Sequence, residues 1–96
     1  MDQLHEIKNE LRKMKPELVE RFHVNSIGLF GSVVRDDFNE KSDIDIIVDF
    51  TRPIGIAFID LADLLEAALK RPVDLVSKKG VKDKYFKVIQ PEIEYV

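Results

Sequence analysis

The sequence predicts an α+β fold, with a small mixed β-sheet, helices covering one face and an open opposite face. Three patterns lead to this fold class. Apolar residues recur every three or four positions near the N-terminus and again over residues 56–69, which is the spacing of amphipathic helices. Between these segments, residues 43–50 place apolar side chains on one side and mainly aspartates on the other. Such a strand has one wet face, because a strand buried on both faces is apolar almost throughout.

The composition describes one globular domain spanning residues 1–96. The chain is 45% hydrophobic and 34% charged, and it has no cysteine, which excludes disulfides and thiolate metal sites. It contains neither a signal peptide pattern nor an apolar run long enough to span a membrane, so we expect a cytoplasmic protein. A net charge of −3 argues against direct nucleic-acid binding, and we interpret the lysines of residues 78–87 as a solvated helix face.

Residues 1–41 predict a divided N-terminal helix, a strand and a further short helix. The first helix carries an apolar stripe of Leu4, Ile7, Leu11, Met14 and Leu18. Pro16 is expected to divide this helix, because proline is best tolerated in a helix's first turn. A strand follows over Val24 to Phe30, then a short helix over residues 32–37 and a polar turn through residues 39–41.

The second half predicts a helix, a strand, another helix and an edge strand. After the strand of residues 43–50, Ile56 to Leu69 form an amphipathic helix and "RPVDLVS" forms a strand. A turn is expected at Gly80, followed by a helix from about Asp83. The final "EIEYV" is expected to form an edge strand.

A Gly-Ser pair, Gly31 and Ser32, stands where the first strand ends and the short helix begins. Such a corner offers bare backbone amides, a small hydroxyl and the positive end of a helix dipole, all of which suit phosphate oxygens. The pair also occurs in ordinary turns, so it does not identify a phosphate site without other residues.

Aspartates stand within the predicted strand of residues 43–50 and within the strand "RPVDLVS". Asp43 and Asp45 are two residues apart and therefore lie on one face of their strand, where a shared Mg²⁺ would offset their repulsion. Asp74 interrupts the apolar "PVDLV" and completes a three-carboxylate cluster if the two strands are neighbours. The alternative is a solvated strand face whose acids maintain solubility. Asp49 shares the face but lies further along, so we assign it a structural role.

In combination, these motifs are far more specific than they are alone. The stretches "GSVVRDDFNEKSDIDIIVDF" and "RPVDLVSKKG" resemble the minimal nucleotidyltransferase (MNT) domains of the superfamily related to DNA polymerase β. The resemblance implies the nucleotidyltransferase fold, with Gly31 and Ser32 cradling the triphosphate of ATP. It further implies that Asp43 and Asp45 bind Mg²⁺, with two ions expected, and that Asp74 completes the metal site and activates the acceptor hydroxyl.

Two further residues are candidate nucleotide ligands. Arg35 lies one turn past the Gly-Ser pair and could contact a phosphate, although an arginine among so many acids is equally suited to a local salt bridge. Ser42 could contact the nucleotide or bond within its turn. The chain departs from the family where glycine often follows the arginine, because Asp36 and Asp37 stand there and add negative charge near the expected triphosphate.

The resemblance extends to the antitoxin of HEPN–MNT toxin–antitoxin pairs. It implies a protein that transfers AMP from ATP to a tyrosine of a helical HEPN-type toxin, an RNase, and so silences it. A non-catalytic module that neutralises the toxin by occlusion is one alternative. Transfer of a nucleotide to a small molecule or an RNA end is another, and it is disfavoured because larger relatives use an additional domain to hold such acceptors.

Overall fold

The computed structural model describes residues 3–35, 37–39 and 41–96. These residues form three α-helices and four strands. Their bounds are α1 Gln3–Phe22, β1 Val24–Phe30, β2 Ile44–Phe50, α2 Ala57–Leu69, β3 Val73–Ser77, α3 Asp83–Ile89 and β4 Glu94–Tyr95. Short 3₁₀ turns cover Gly31–Val34, Lys78–Gly80 and Gln90–Glu92. The expected α+β class is confirmed.

The four strands form one mixed sheet in the order β3-β2-β1-β4. Strand β2 is antiparallel to β1 and parallel to β3, while β4 adds an antiparallel edge beside β1. The parallel pair requires a crossover, which α2 provides between β2 and β3. This arrangement places the strand of alternating aspartates in the middle of the sheet.

Helices α1 and α2 cover one face of the sheet and form the main core with it. Leu11 and Leu18 of α1, and Leu61 and Leu65 of α2, are fully buried. They pack against the apolar side of the two central strands, which comprises Val24, Ile27, Leu29, Ile44, Ile46 and Val48. The period of two therefore sorts the strand residues between faces as the sequence predicts.

The opposite face is only partly open. Phe30 of β1, Ile47 of β2 and Ile89 of α3 form a second, smaller core there. Helix α3 covers this part of the face, which explains why Ile47 stands among aspartates in the sequence. The aspartates at the start of β2 and in β3 lie beyond the second core, so the open region is narrower than expected.

Pro16 does not divide the first helix, contrary to the sequence-based expectation. Helix α1 runs through it as one element of 20 residues. Leu11 and Leu18, on either side of the proline, are both fully buried, so packing of the whole apolar face outweighs the loss of one backbone hydrogen bond. Pro16 itself is exposed, which lets water reach the backbone carbonyl that proline leaves without a partner.

The segment after β1 also differs in detail from the prediction. The expected short helix is a 3₁₀ turn over Gly31–Val34, and Asp36, like Glu40 in the following turn, lies outside the described residues. Strand β2 begins at Ile44, so Asp43 immediately precedes it. No helix in the described part of the chain is long and apolar enough to cross a membrane.

We expect Leu65→Ala to lower the free energy of unfolding by about 2–5 kcal/mol, because it opens a cavity between α2 and the sheet. Ile59→Ala is a matched control on the same helix, since Ile59 is 60% exposed, and it should cost no more than about 0.5 kcal/mol. Urea unfolding curves measure both changes. Equal losses in the two variants would contradict the assigned core.

Candidate active site

The corner after β1 depends on glycine at position 31. Gly31 has a φ of +76°, which side chains rarely tolerate. A Cβ atom built on Gly31 would overlap Oδ2 of Asp45 and lie 3.0 Å from its Cγ. Glycine therefore lets the chain turn sharply while its backbone lies directly against the Asp45 carboxylate.

Strand pairing brings the predicted carboxylates together. Asp45 stands opposite Phe30 of β1 and beside Asp74 of β3. Neighbouring strands are roughly 4.8 Å apart, so the side chains of Asp45 and Asp74 project side by side from the same face. Asp43 lies two residues earlier, at the entry to β2. Strands β2 and β3 are therefore neighbours, which is the condition for a three-carboxylate cluster.

The electrostatics of Asp45 reflect this crowding. Partial burial, followed by the negative charges of Asp74 and Asp43 and a smaller effect of Glu92, raises the pKa of its carboxyl to about 6. Arg35 acts in the opposite direction and lowers this pKa. The carboxylates therefore share one electrostatic environment in which added positive charge would be favourable.

The donor set fits a hard divalent cation. Asp43, Asp45 and Asp74 supply carboxylate oxygens, which Mg²⁺ prefers, and the exposed side chains of Asp43 and Asp74 leave room for water and phosphate. Within the described ranges, no three His, Cys, Asp or Glu side chains stand close enough to form a ready-made metal site. A bound cation would have to draw these carboxylates closer together.

The carboxylate of Glu92 accepts hydrogen bonds from two groups that the sequence analysis assigned to phosphate, the backbone amide of Gly31 and the guanidinium of Arg35. Its Oε1 accepts a hydrogen bond of 2.8 Å from the backbone N–H of Gly31, and its Oε2 lies 3.3 Å from the guanidinium of Arg35. Arg35 also pairs with Asp37 at 3.4 Å, so in this structure it makes the local salt bridge that is the alternative to a phosphate contact. The single N–H of Gly31 is thus fully used by a carboxylate from the third 3₁₀ turn.

A cavity of about 270 Å³ opens over this corner. Polar groups line one side, namely Gly31, Arg35, Asp45 and Glu92. The other side is formed by Phe30, Tyr85, Val88 and Ile89. One concavity therefore joins the glycine corner and the central aspartate to a largely apolar wall on α3.

The remaining predicted residues stand outside the cavity lining. Ser32 follows Gly31 directly in the 3₁₀ turn and is half-buried. The Ser42 hydroxyl accepts a 3.1 Å hydrogen bond from the backbone N–H of Asn39, which supports its role within the turn. Asp49 accepts a 3.2 Å hydrogen bond from Asn25, in agreement with the structural role assigned to it.

Glu92 and Tyr85 are among the cavity residues that were not identified from the sequence. Glu92 is 61 positions from Gly31, and its place in "PEIEYV" gives no periodic signal. Tyr85 lies on a lysine-rich helix whose sequence indicates a solvated surface. Only the packing of α3 and the final 3₁₀ turn against the sheet reveals that both residues line the same cavity as Asp45.

Comparison with known proteins identifies the family of this chain. The family model for the nucleotidyltransferase domain matches residues 11–95. A relative from Thermococcus cleftensis named protein adenylyltransferase MntA is 47% identical over 94 residues, covering 97% of this chain and 95% of the relative.

Two solved structures share the fold. A toxin–antitoxin complex with AMP-PNP contains a chain with a TM-score of 0.76 and 27% identity, covering 91% of this chain and 69% of that chain. A structure of the tri-AMPylated Shewanella oneidensis HEPN toxin with its MNT antitoxin contains one with a TM-score of 0.70 and 24% identity, covering 97% and 71%. Together with the family match, these likenesses show that the chain belongs to the nucleotidyltransferase domain family and has the fold of a minimal nucleotidyltransferase.

Proposed function

We propose that this protein transfers AMP from ATP, in a magnesium-dependent reaction, to a tyrosine hydroxyl of a HEPN-type toxin and thereby acts as its antitoxin. The adenylyltransferase name of the Thermococcus cleftensis relative supports the reaction type. The AMP-PNP in one toxin–antitoxin complex supports ATP as the donor. The HEPN class of partner rests on the MNT motifs of the sequence and on the HEPN toxin that accompanies an MNT antitoxin of the same fold.

One observation carries the proposal. Asp45 stands between the glycine corner at the end of β1 and Asp74 on β3, and it lines the same cavity as Gly31 and Arg35. Nucleotidyl transfer needs anionic ligands for metal beside donors for a polyphosphate. The glycine corner and the three aspartates lie at one end of three neighbouring strands, which supports the proposal.

The reaction can be written with these residues in their roles. The oxygen of the acceptor hydroxyl bonds to the α-phosphorus of ATP, the bond from that phosphorus to the bridging oxygen breaks, and pyrophosphate leaves. Asp74, which is exposed at the side of the site, accepts the proton of the hydroxyl. The carboxylates of Asp43, Asp45 and Asp74 would hold Mg²⁺, two ions in our proposal, whose charge offsets that of the reacting phosphates.

The triphosphate meets the glycine corner. Arg35, the Ser32 hydroxyl and the backbone amides that follow Gly31 are the groups we assign to it, with the planar guanidinium suited to phosphate oxygens. Glu92 competes for this position, because its carboxylate already holds Gly31 N–H and one nitrogen of Arg35. Ser42 would have to release its hydrogen bond within the turn before its hydroxyl could contact the nucleotide.

We expect Asp45→Asn to abolish transfer of label from α-³²P-ATP to a HEPN-type partner protein. Asp74→Asn should lower the rate by about 10²- to 10⁴-fold, because it removes the proton acceptor. Asp49→Asn is the matched control on the same strand, and it should label the partner normally.

The same assay separates the alternatives. Equal labelling by the Asp45 and Asp49 variants would reject the assigned site. A partner that is neutralised without being labelled would indicate occlusion, and label on RNA would indicate transfer to an RNA end.

We expect Glu92→Gln to bind ATP with magnesium roughly fivefold more tightly, which corresponds to about 1 kcal/mol of removed repulsion. Glutamine still accepts the hydrogen bond from Gly31 but brings no negative charge to the phosphates. Glu94→Gln is the control, since Glu94 pairs with Lys8 at 3.3 Å and does not line the cavity. Isothermal titration calorimetry measures both affinities, and weaker binding by the Glu92→Gln variant would show that Glu92 supports the nucleotide instead.

We expect Asp45→Asn to raise the Tm by several degrees at pH 7–8 in the presence of EDTA. The pKa of Asp45 is raised to about 6 in the fold from 3.8, so the folded state binds more protons between these values and its stability falls as the pH rises through this window. The variant lacks that loss, and its advantage should vanish as the pH is lowered from about 6 towards 4. Asp63→Asn, on the exposed side of α2, controls for the change in net charge. A gap that is independent of pH would contradict the assignment.

A further inference from the structure

We propose that the side chain of Tyr85, supported by Val88, forms the surface on which the nucleobase of the donor nucleotide rests. This inference rests on the proposed function and extends it to the part of the nucleotide that the aspartates and the glycine corner do not contact. It makes Tyr85 a binding residue for the nucleobase.

The cavity has two chemically different sides. Its polar lining comprises Gly31, Arg35, Asp45 and Glu92, of which we assign the first three to phosphates and metal. Its apolar lining comprises Phe30 and the α3 residues Tyr85, Val88 and Ile89, with Tyr85 and Val88 exposed. A nucleoside triphosphate has the same division, because a polyanionic chain is joined through the ribose to a flat base with apolar faces.

These exposed side chains are available to a ligand in the cavity. Tyr85 is 51% exposed and Val88 is 72% exposed, although both are large apolar residues beside a charged site. Residues three and four positions apart share one side of a helix, so Tyr85 lies on the same side as Val88 and Ile89. The apolar pair is thus directed towards the cavity while the neighbouring lysines face the solvent.

The wall is firmly held. Ile89 is buried against Phe30 and Ile47 in the second core, and Phe86 packs against the same cluster. Phe30 immediately precedes Gly31, so the residue against which α3 packs is joined directly to the glycine corner. A base stacked on Tyr85 would therefore be fixed relative to the phosphates, which is what a selective nucleotide site requires.

The test compares two ligands, ATP and inorganic tripolyphosphate, each titrated with Mg²⁺ and without a partner protein. Tyr85→Ala should weaken ATP binding about tenfold and leave tripolyphosphate binding unchanged, because only ATP carries a base. Tyr85→Phe should bind both ligands like the wild type, since the ring provides the surface. Val88→Ala should weaken ATP binding by a smaller factor, about threefold, and provides a second variant if the first folds poorly.

Tyr95→Ala is the matched control, because Tyr95 is also half exposed, at 50%, yet does not line the cavity. Its ATP affinity should equal that of the wild type. Unchanged ATP binding by both the Tyr85→Ala and Val88→Ala proteins would overturn the inference, as would equal weakening of ATP and tripolyphosphate. Normal ATP binding with lost transfer to the partner protein would assign the wall to acceptor docking and would also overturn it. A wild-type protein that binds neither ligand would instead reject the proposed function itself.

Discussion

The pairing of β2 with a strand on each side is the constraint on which the rest of the structure depends. Asp45 lies opposite Phe30 and beside Asp74 only in the observed register. Because side chains alternate along a strand, a slip of one residue would turn Asp45 into the main core and Ile44 towards water. The fully buried Ile44, Ile46 and Val48 therefore fix the orientation of Asp45.

The acidic side chains of the candidate site lower the stability of the fold. Three carboxylates gather beside a partly buried position, and the pKa of Asp45 rises to about 6 as a result. The main core on the other face, formed with α1 and α2, supplies apolar contacts whose stabilisation offsets this repulsion. Glycine at position 31 contributes in another way, because it allows the backbone to approach an aspartate that any side chain would displace. Site and scaffold are thus on opposite faces of the same strands.

The sequence predicts most of the fold and the centre of the candidate site, for physical reasons that differ between elements. Strand β2 is predicted because its alternation arises from one buried face and one wet face. The continuity of α1 through Pro16 is not, because it depends on packing against the sheet, which local preference does not reflect. Asp43 and Asp45 are linked by local spacing, and Asp74 by the assumption that its strand is a neighbour.

Glu92 and Tyr85 could not be predicted in this way. Both reach the cavity from the last part of the chain, and no local pattern encodes a contact between segments so far apart. The packing of α3 against the second face of the sheet was not predicted either, because it depends on where this helix docks in the folded chain. Long-range packing is the information that a single sequence lacks.

The cavity is lined by residues 30–35, by Asp45 and by residues 85–92, and this has a consequence for how such proteins diversify. The acids that we propose as metal ligands and the glycine corner lie in or beside β1, β2 and β3, next to the main core. The wall on α3 and the competing Glu92 belong to residues 83–92, whose exposed side chains can change without affecting the interior of the sheet. On our proposals, the reacting groups and the nucleobase surface therefore lie in different segments, and one can drift during evolution, or be exchanged by an engineer, while the other stays intact.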